Sequence, residues 1–186
     1  MKKFILLLIL FFGSILNVYA ETSRIISGNK NAKITIIAYE SLTCSHCASF
    51  HIDVYPQLKK DYIDTGLAKI EFRHFPLDLA AFNASKIAQC KNEQSLEILE
   101  SLYSDQQSWV KGNTVEEINN NLQKFIQNKG FKVDFQKCIN NKKIEDFVLN
   151  DRIEGAKKFK INSTPTIIIN NKKFEKSLNY KNLKKS

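Results

Sequence analysis

The sequence predicts an α/β protein: a βαβ unit, then a block of helices, then a return to strand and helix. Three observations carry this. Residues 33–39, Lys-Ile-Thr-Ile-Ile-Ala-Tyr, are β-branched and aromatic in the manner of a buried strand. Ala68 to Phe75 alternates apolar and polar residues like a half-exposed strand, with a helical stretch between the two. From Leu79 to about Asn150 strand period is lost and helical spacing replaces it.

The elements follow in order. From Cys44 to about Tyr62, Phe50, Val54 and Leu58 recur four apart on one helical face. Pro56 falls inside that run and is expected to kink it, because proline removes a backbone donor and crowds the preceding turn. Strand, long helix, strand implies two parallel strands and a right-handed crossover. In the helical block, Ala81, Ala84 and Ala88 mark one helix, and Leu96, Leu99, Leu102 and Tyr103 a second. A third opens with the capping box Thr114-x-x-Glu117 and stops at Gly130. Asp134 is placed to cap a short helix holding Cys138, and a longer one carries Ile144, Phe147, Val148 and Phe159. Strand character returns at Thr166 to Ile169, turns at Asn170-Asn171, and resumes at Lys172 to Phe174, before a short helix with Leu178 and Leu183.

The N-terminus reads as a signal peptide rather than part of the fold. Met1-Lys2-Lys3 is basic, Phe4 to Phe12 is apolar, and Val18-Tyr19-Ala20 ends in small residues. A membrane span needs about 20 apolar residues, and this run is shorter. Cleavage after Ala20 leaves one domain's length, and Glu21 rather than cysteine follows the cut. The net charge of +9 raises the question of nucleic acid or anionic membrane. The lysines are dispersed among acids, so a solvated surface is expected, with no nucleic-acid partner.

Chemistry concentrates at Cys44-Ser45-His46-Cys47, where a strand ends and a helix begins. A thiol at a helix N-terminus meets unpaired backbone N–H groups, which favour its anion. The thiolate is the species that attacks a disulfide, and Cys47, one turn on, can close the ring. His46 is expected to add a donor and partial positive charge beside the Cys44 sulfur, and so to set the oxidising power. Two other readings of the pair stand beside this one. It can be an inert bridge, or Cys44, Cys47 and His51 can supply three ligands of a metal-binding chaperone. Structural zinc sites, however, usually bring a second ligand pair at matching spacing.

Three stretches carry a family resemblance. Thr43-Cys-Ser-His-Cys47 follows a hydrophobic strand, Phe72-Arg-His-Phe-Pro-Leu77 closes the next, and Ser163-Thr-Pro-Thr166 precedes the hairpin. Together they resemble the DsbA family of bacterial disulfide oxidoreductases, from about Lys33 to the end of the chain. The resemblance implies a thioredoxin-like fold with an inserted all-helical domain. The parts would be a signal peptide at 1–20, thioredoxin-like segments at 21–79 and 149–186, and the insertion at 80–148. Thr164-Pro165 would form a cis-proline loop facing the sulfurs and holding substrate peptide. The implied activity is disulfide donation to reduced exported proteins in the periplasm, with a quinone-linked membrane reoxidase of DsbB type as partner and no cofactor. An isomerase or reductase of the same fold is the nearest alternative. Two departures bear on this. Many thioredoxin-like proteins carry a buried acid six residues before the first cysteine, where this chain has Ala38. Glu40, on the same side of the strand, is the available substitute, although a surface acid at the strand end is the plainer expectation. The dipeptide Ser45-His46 keeps the histidine of oxidising members without a proline before it.

Cys90 and Cys138 both fall in the helical block. A structural disulfide is the expectation, with two buried thiols or a second redox pair as alternatives. His51 and His74 are expected to be structural or exposed, and Trp109 to be core.

Overall fold

The computed structural model describes residues 22–91 and 93–186; the signal peptide expected at 1–20 lies outside them. Five strands form one sheet: β1 (Ile25–Gly28), β2 (Ile34–Glu40), β3 (Ala68–His74), β4 (Thr166–Ile169) and β5 (Lys172–Lys173). Their order across the sheet is β1-β3-β2-β4-β5. β2 and β3 run parallel with Ile36 opposite Ile70, while β4 pairs antiparallel to β2 with Ala38 opposite Ile167. β1, too short to announce itself, adds antiparallel to β3 and pairs Ile25 with Phe72. Asn170 and Asn171 make the β4–β5 turn with positive φ of 46° and 67°, the conformation that asparagine tolerates best after glycine.

The helical run between β2 and β3 covers residues 45–63 and alternates α and π geometry. It is α over Ser45–Ser49 and Tyr55–Leu58, and π over Phe50–Val54 and Lys59–Ile63. The π turn at Phe50–Val54 leads directly into Pro56, at the start of the second α segment. A wider turn frees the backbone that proline cannot bond, so the run continues instead of breaking.

The helical block comprises Leu79–Gln89, Ser95–Ser104, Gln106–Trp109, Val115–Asn128 and Phe135–Ile139. Helix Lys142–Phe159 leads out of it without a break at 148/149. At Thr114 the hydroxyl accepts from Glu117 N at 3.2 Å, while Glu117 Oε2 reaches past the cap to accept from Asn113 N at 2.7 Å. The larger core lies between the sheet, residues 45–63 and the helical block, and contains Ile36, Ala38, Ile70, Phe72 and Trp109. Trp109 is fully buried, and its ring N–H donates to Leu102 O at 2.9 Å. On the opposite face Ile37, Tyr39, Phe75, Ile161 and Ile168 pack together. There Gly155 is required by contact: a Cβ would sit 2.8 Å from the Tyr39 ring. Among the described residues no helix is long and apolar enough to cross a membrane.

Candidate active site: a dithiol at the end of the central strand

β2 ends at Glu40, the chain turns with Cys44 N bonded to Ser41 O at 3.0 Å, and the helix begins at Ser45. Cys44 is the N-cap, in extended conformation, and its carbonyl accepts from Cys47 N and Ala48 N. Both thiols are free; Cys44 is half-buried and Cys47 wholly buried. Three side chains fix the turn. Ser41 Oγ accepts from Leu77 N at 3.2 Å, and Thr43 donates to Asp78 at 2.6 Å. Gln106 Nε2 donates to Leu42 O at 2.8 Å and to Cys44 O at 3.1 Å.

The two sulfurs are electrostatically unlike. Cys44 is brought down to about 5, chiefly because the Cys47 thiol donates a hydrogen bond to it. Partial burial opposes this, while Thr164 and the backbone N–H groups of Cys47 and His46 reinforce it. Thr164 offers two groups to the sulfur. Its carbonyl accepts from the Cys44 thiol at 3.4 Å, a contact that serves the protonated form. Its hydroxyl is buried with no partner among the described residues, and it is the group that can donate to a thiolate. Cys47 is pushed far in the other direction, first by burial, then by its bond to Cys44, then by the charge of Glu40. One thiol is therefore ready to attack at neutral pH and the other holds its proton.

Glu40 is not the surface acid that its place at a strand end suggested. It is 3% exposed and bonds His51 Nε2 at 2.9 Å. β2 is the central strand, and residues 45–63 cross its C-terminal end, so an acid there is roofed over. Burial raises the Glu40 carboxyl, and His51 opposes that rise. His51 is itself held by aromatic rings, stacked on Tyr103 at 4.1 Å and against Phe72 at 5.0 Å. Burial and the neighbouring acid and sulfurs hold the Tyr103 phenol well above its ordinary value.

A family model described as thioredoxin matches residues 20–186. The crystal structure of Wolbachia pipientis alpha-DsbA1 superposes with a TM-score of 0.78 and 32% identity, covering 88% of each chain. The chain belongs to the DsbA family of thiol:disulfide oxidoreductases. BdbD from Bacillus subtilis, at 20% identity and a TM-score of 0.71 over 87% of this chain and 89% of that one, shares the fold. A Rickettsia bellii relative is 29% identical over 153 residues, which are 81% of this chain and 58% of that protein. The chain thus spans little more than half the length of the Rickettsia relatives it matches.

Against this DsbA framework the remaining sequence-derived residues sort by distance from the sulfurs. The Thr164–Pro165 peptide bond is cis, and both residues line a cleft of about 430 Å³ beside the dithiol, together with His46, Phe50, Val54 and Leu178. The His46 side chain is exposed there, and it is the backbone N–H of this residue that bonds the Cys44 sulfur. His51 gives its Nε2 to Glu40 rather than to the thiols. Among the described residues no three His, Cys, Asp or Glu side chains are grouped to hold a metal ion. Cys90 and Cys138 are bridged, with Cα atoms 5.6 Å apart. His74 is buried, bonded to Gln89 at 3.1 Å and pushed down to about 4 by burial. Sequence reasoning missed Gln106, Asp78 and Tyr103. Only Asp78, directly before a helix, carried a local signal, as an N-cap whose carboxylate accepts from Ala81 N at 2.7 Å.

Proposed function

We propose that this chain is exported to the periplasm and introduces disulfide bonds into reduced envelope or secreted proteins through Cys44 and Cys47. The observation that carries the oxidising direction is the unequal pair: a Cys44 brought down to about 5 beside a Cys47 pushed up. Hydrogen bonds to the Cys44 thiolate stabilise the reduced protein, and a stabilised reduced form makes the disulfide a stronger oxidant. A substrate thiolate bonds to Cys44 Sγ, the Cys44–Cys47 bond breaks, and the electron pair leaves on Cys47. A second substrate thiolate then expels Cys44 as a thiolate, and the substrate departs with its disulfide. Two electrons remain on the protein. A quinone-linked membrane protein of DsbB type fits the task of removing them. The basic and apolar N-terminus, ending at Ala20, supports export.

The test is equilibration of Cys44–Cys47 with glutathione, together with oxidation of a reduced, unfolded protein. A potential above the glutathione couple and rapid substrate oxidation are expected. A potential below that couple would make the chain a reductase or isomerase. Recovery of Cys44 in the cytoplasmic fraction of the native cells would overturn the export half.

A further inference from the structure

Cys44 stands beside two clefts of unlike chemistry, and the exchange reading has used only one of them. The cleft that holds His46 and Pro165 is walled by the apolar Phe50, Val54 and Leu178, and its acid is Asp53. A second cleft, of about 490 Å³, opens on the adjacent flank of the helical run that starts at Ser45. Ser45, Ser49 and Ile52 face it at helical spacing, and the helical block supplies the opposite wall between Tyr103 and Lys111. Ser49 lines both clefts, so they meet along one ridge. Gln106 lines the second cleft and bonds the Cys44 carbonyl at 3.1 Å, which brings this cleft up to the backbone of the reactive thiol.

The second cleft offers donors and one uncompensated positive charge. Its acid, Asp105, is bonded to Lys129 at 2.6 Å. Its base, Lys111, is exposed, and its ammonium meets no carboxylate among the described residues. The backbone of Lys111 is fixed at both ends: its N–H donates to Trp109 O at 2.8 Å, and its carbonyl accepts from Asn121 Nδ2 at 2.8 Å. Ser104 and Ser108 spend their hydroxyl protons on Ser101 O and Asp105 O. Ser45, Ser49 and Gln107 are exposed, and their side chains bond no other group among the described residues.

We propose that this cleft is a second substrate subsite, which receives one arm of the polypeptide whose cysteine bonds to Cys44 and selects an arm bearing an acidic residue. The subsite presupposes that Cys44–Cys47 exchanges with polypeptides, and it sets which polypeptides react fastest. A cysteine within a chain has an arm on either side. With one arm laid along Pro165, the other leaves across Ser45 towards the helical block. There the Ser45 and Ser49 hydroxyls and the Gln107 amide bond its peptide groups, Lys111 attracts its carboxylate, and Ile52, 55% exposed, covers its apolar stem. Asp53 in the first cleft repels the same carboxylate, so the two arms are told apart and the substrate lies in one direction. The net charge of +9 attracts acids from every side, but at physiological salt that field is screened over about 8 Å. A preference confined to one arm is therefore the mark of Lys111 rather than of the whole surface.

The experiment uses the reduced full chain and short alanine- and glycine-based peptides, each with one cysteine held as a mixed disulfide with thionitrobenzoate. The Cys44 thiolate attacks the peptide sulfur, thionitrobenzoate leaves with the electron pair, and Cys47 then closes the ring and releases the peptide thiol. Thionitrobenzoate absorbance times the first step. Each peptide carries Glu, Gln or Lys a few residues before or after the cysteine, and every rate is divided by that of the 2-mercaptoethanol mixed disulfide, which has no arm. On one arm Glu should react about three- to fivefold faster than Lys, the range of an exposed ion pair, and on the other arm the order should be flat or reversed. Lys111→Gln should flatten the preference on the first arm, and Lys111→Glu should invert it. Gln107→Glu, which places an acid in the same cleft, should weaken it independently should the Lys111 variants fail to fold. The same charge order on both arms, or an order that survives Lys111→Glu, would overturn the subsite and leave only the diffuse field of a basic protein. If the wild-type chain releases thionitrobenzoate from no peptide faster than free glutathione does, it is the exchange reading that fails.

Discussion

Gln106 reaches out of the helical block to the carbonyl of Cys44 at 3.1 Å, and with the same nitrogen to that of Leu42 at 2.8 Å. A residue more than sixty positions away thus holds the turn that presents the reactive thiol. Cys44 O has other donors in Cys47 N and Ala48 N, so the Leu42 carbonyl depends on Gln106 the more heavily. Replacing Gln106 with Ala should cost about 1–3 kcal/mol, the penalty for stranding a buried polar group. Urea unfolding of both redox forms measures it, and a loss within error of zero would show that water replaces the amide.

The pH behaviour of the couple follows from the two thiols. With Cys44 titrating at about 5 and Cys47 held protonated, reduction takes up two protons below that pH and one above it. Each proton contributes about 30 mV per pH unit to a two-electron potential. The slope should therefore fall from about 60 to about 30 mV per unit near pH 5. Because the folded value lies below the ordinary thiol value of 9.0, what Cys44 contributes to the stability of the reduced protein is full above pH 9. It declines as pH falls and is gone below about 5. Thiolate absorbance, potentiometry and melting of the reduced form give three independent readings of one midpoint.

Thr164 and His46 can be ranked by substitution. Thr164→Val removes a hydroxyl that is buried, has no partner among the described residues and can donate to the thiolate, so the Cys44 value should rise and the potential fall by about 30 mV per pKa unit. His46→Ala keeps the backbone N–H that bonds the sulfur and removes only an exposed ring. It should move both quantities less than Thr164→Val does. The reverse ranking would return to the His46 side chain the tuning role expected from sequence.

Removing the bridge by changing Cys90 and Cys138 to Ala should destabilise the chain by up to about 4 kcal/mol, the chain-entropy value for a separation of 48 residues. The Cys44 alkylation midpoint should not move, since no group that sets it belongs to the bridge. A shifted midpoint would reveal coupling between the two sulfur pairs.

Local sequence carried the strands and the dithiol well, and the reason is chemical. Alternation at Ala68–His74, the Thr114 cap and the Asn170-Asn171 turn are written within a few residues of where they act. Cys44-Ser45-His46-Cys47 is legible because strand end, helix start and sulfur spacing coincide. Glu40 was misjudged because strand-end acids are commonly exposed, and its burial depends on where residues 45–63 cross the sheet. Gln106 was invisible for the same kind of reason: its target is a backbone carbonyl, which leaves no trace in the side-chain pattern. β1 was too short, at four residues, to show a period.

Helix Lys142–Phe159 runs unbroken from the block, where Ile144 is buried in the core, to the sheet's far face, where Phe159 meets the Tyr39 ring at 6.0 Å. Its eighteen residues span about 27 Å at 1.5 Å each, with no joint along the way. The inserted block is therefore spliced to its host rather than plugged into it. A designer who wished to transplant it would have to saw through this beam, and could not simply lift the block out at a loop.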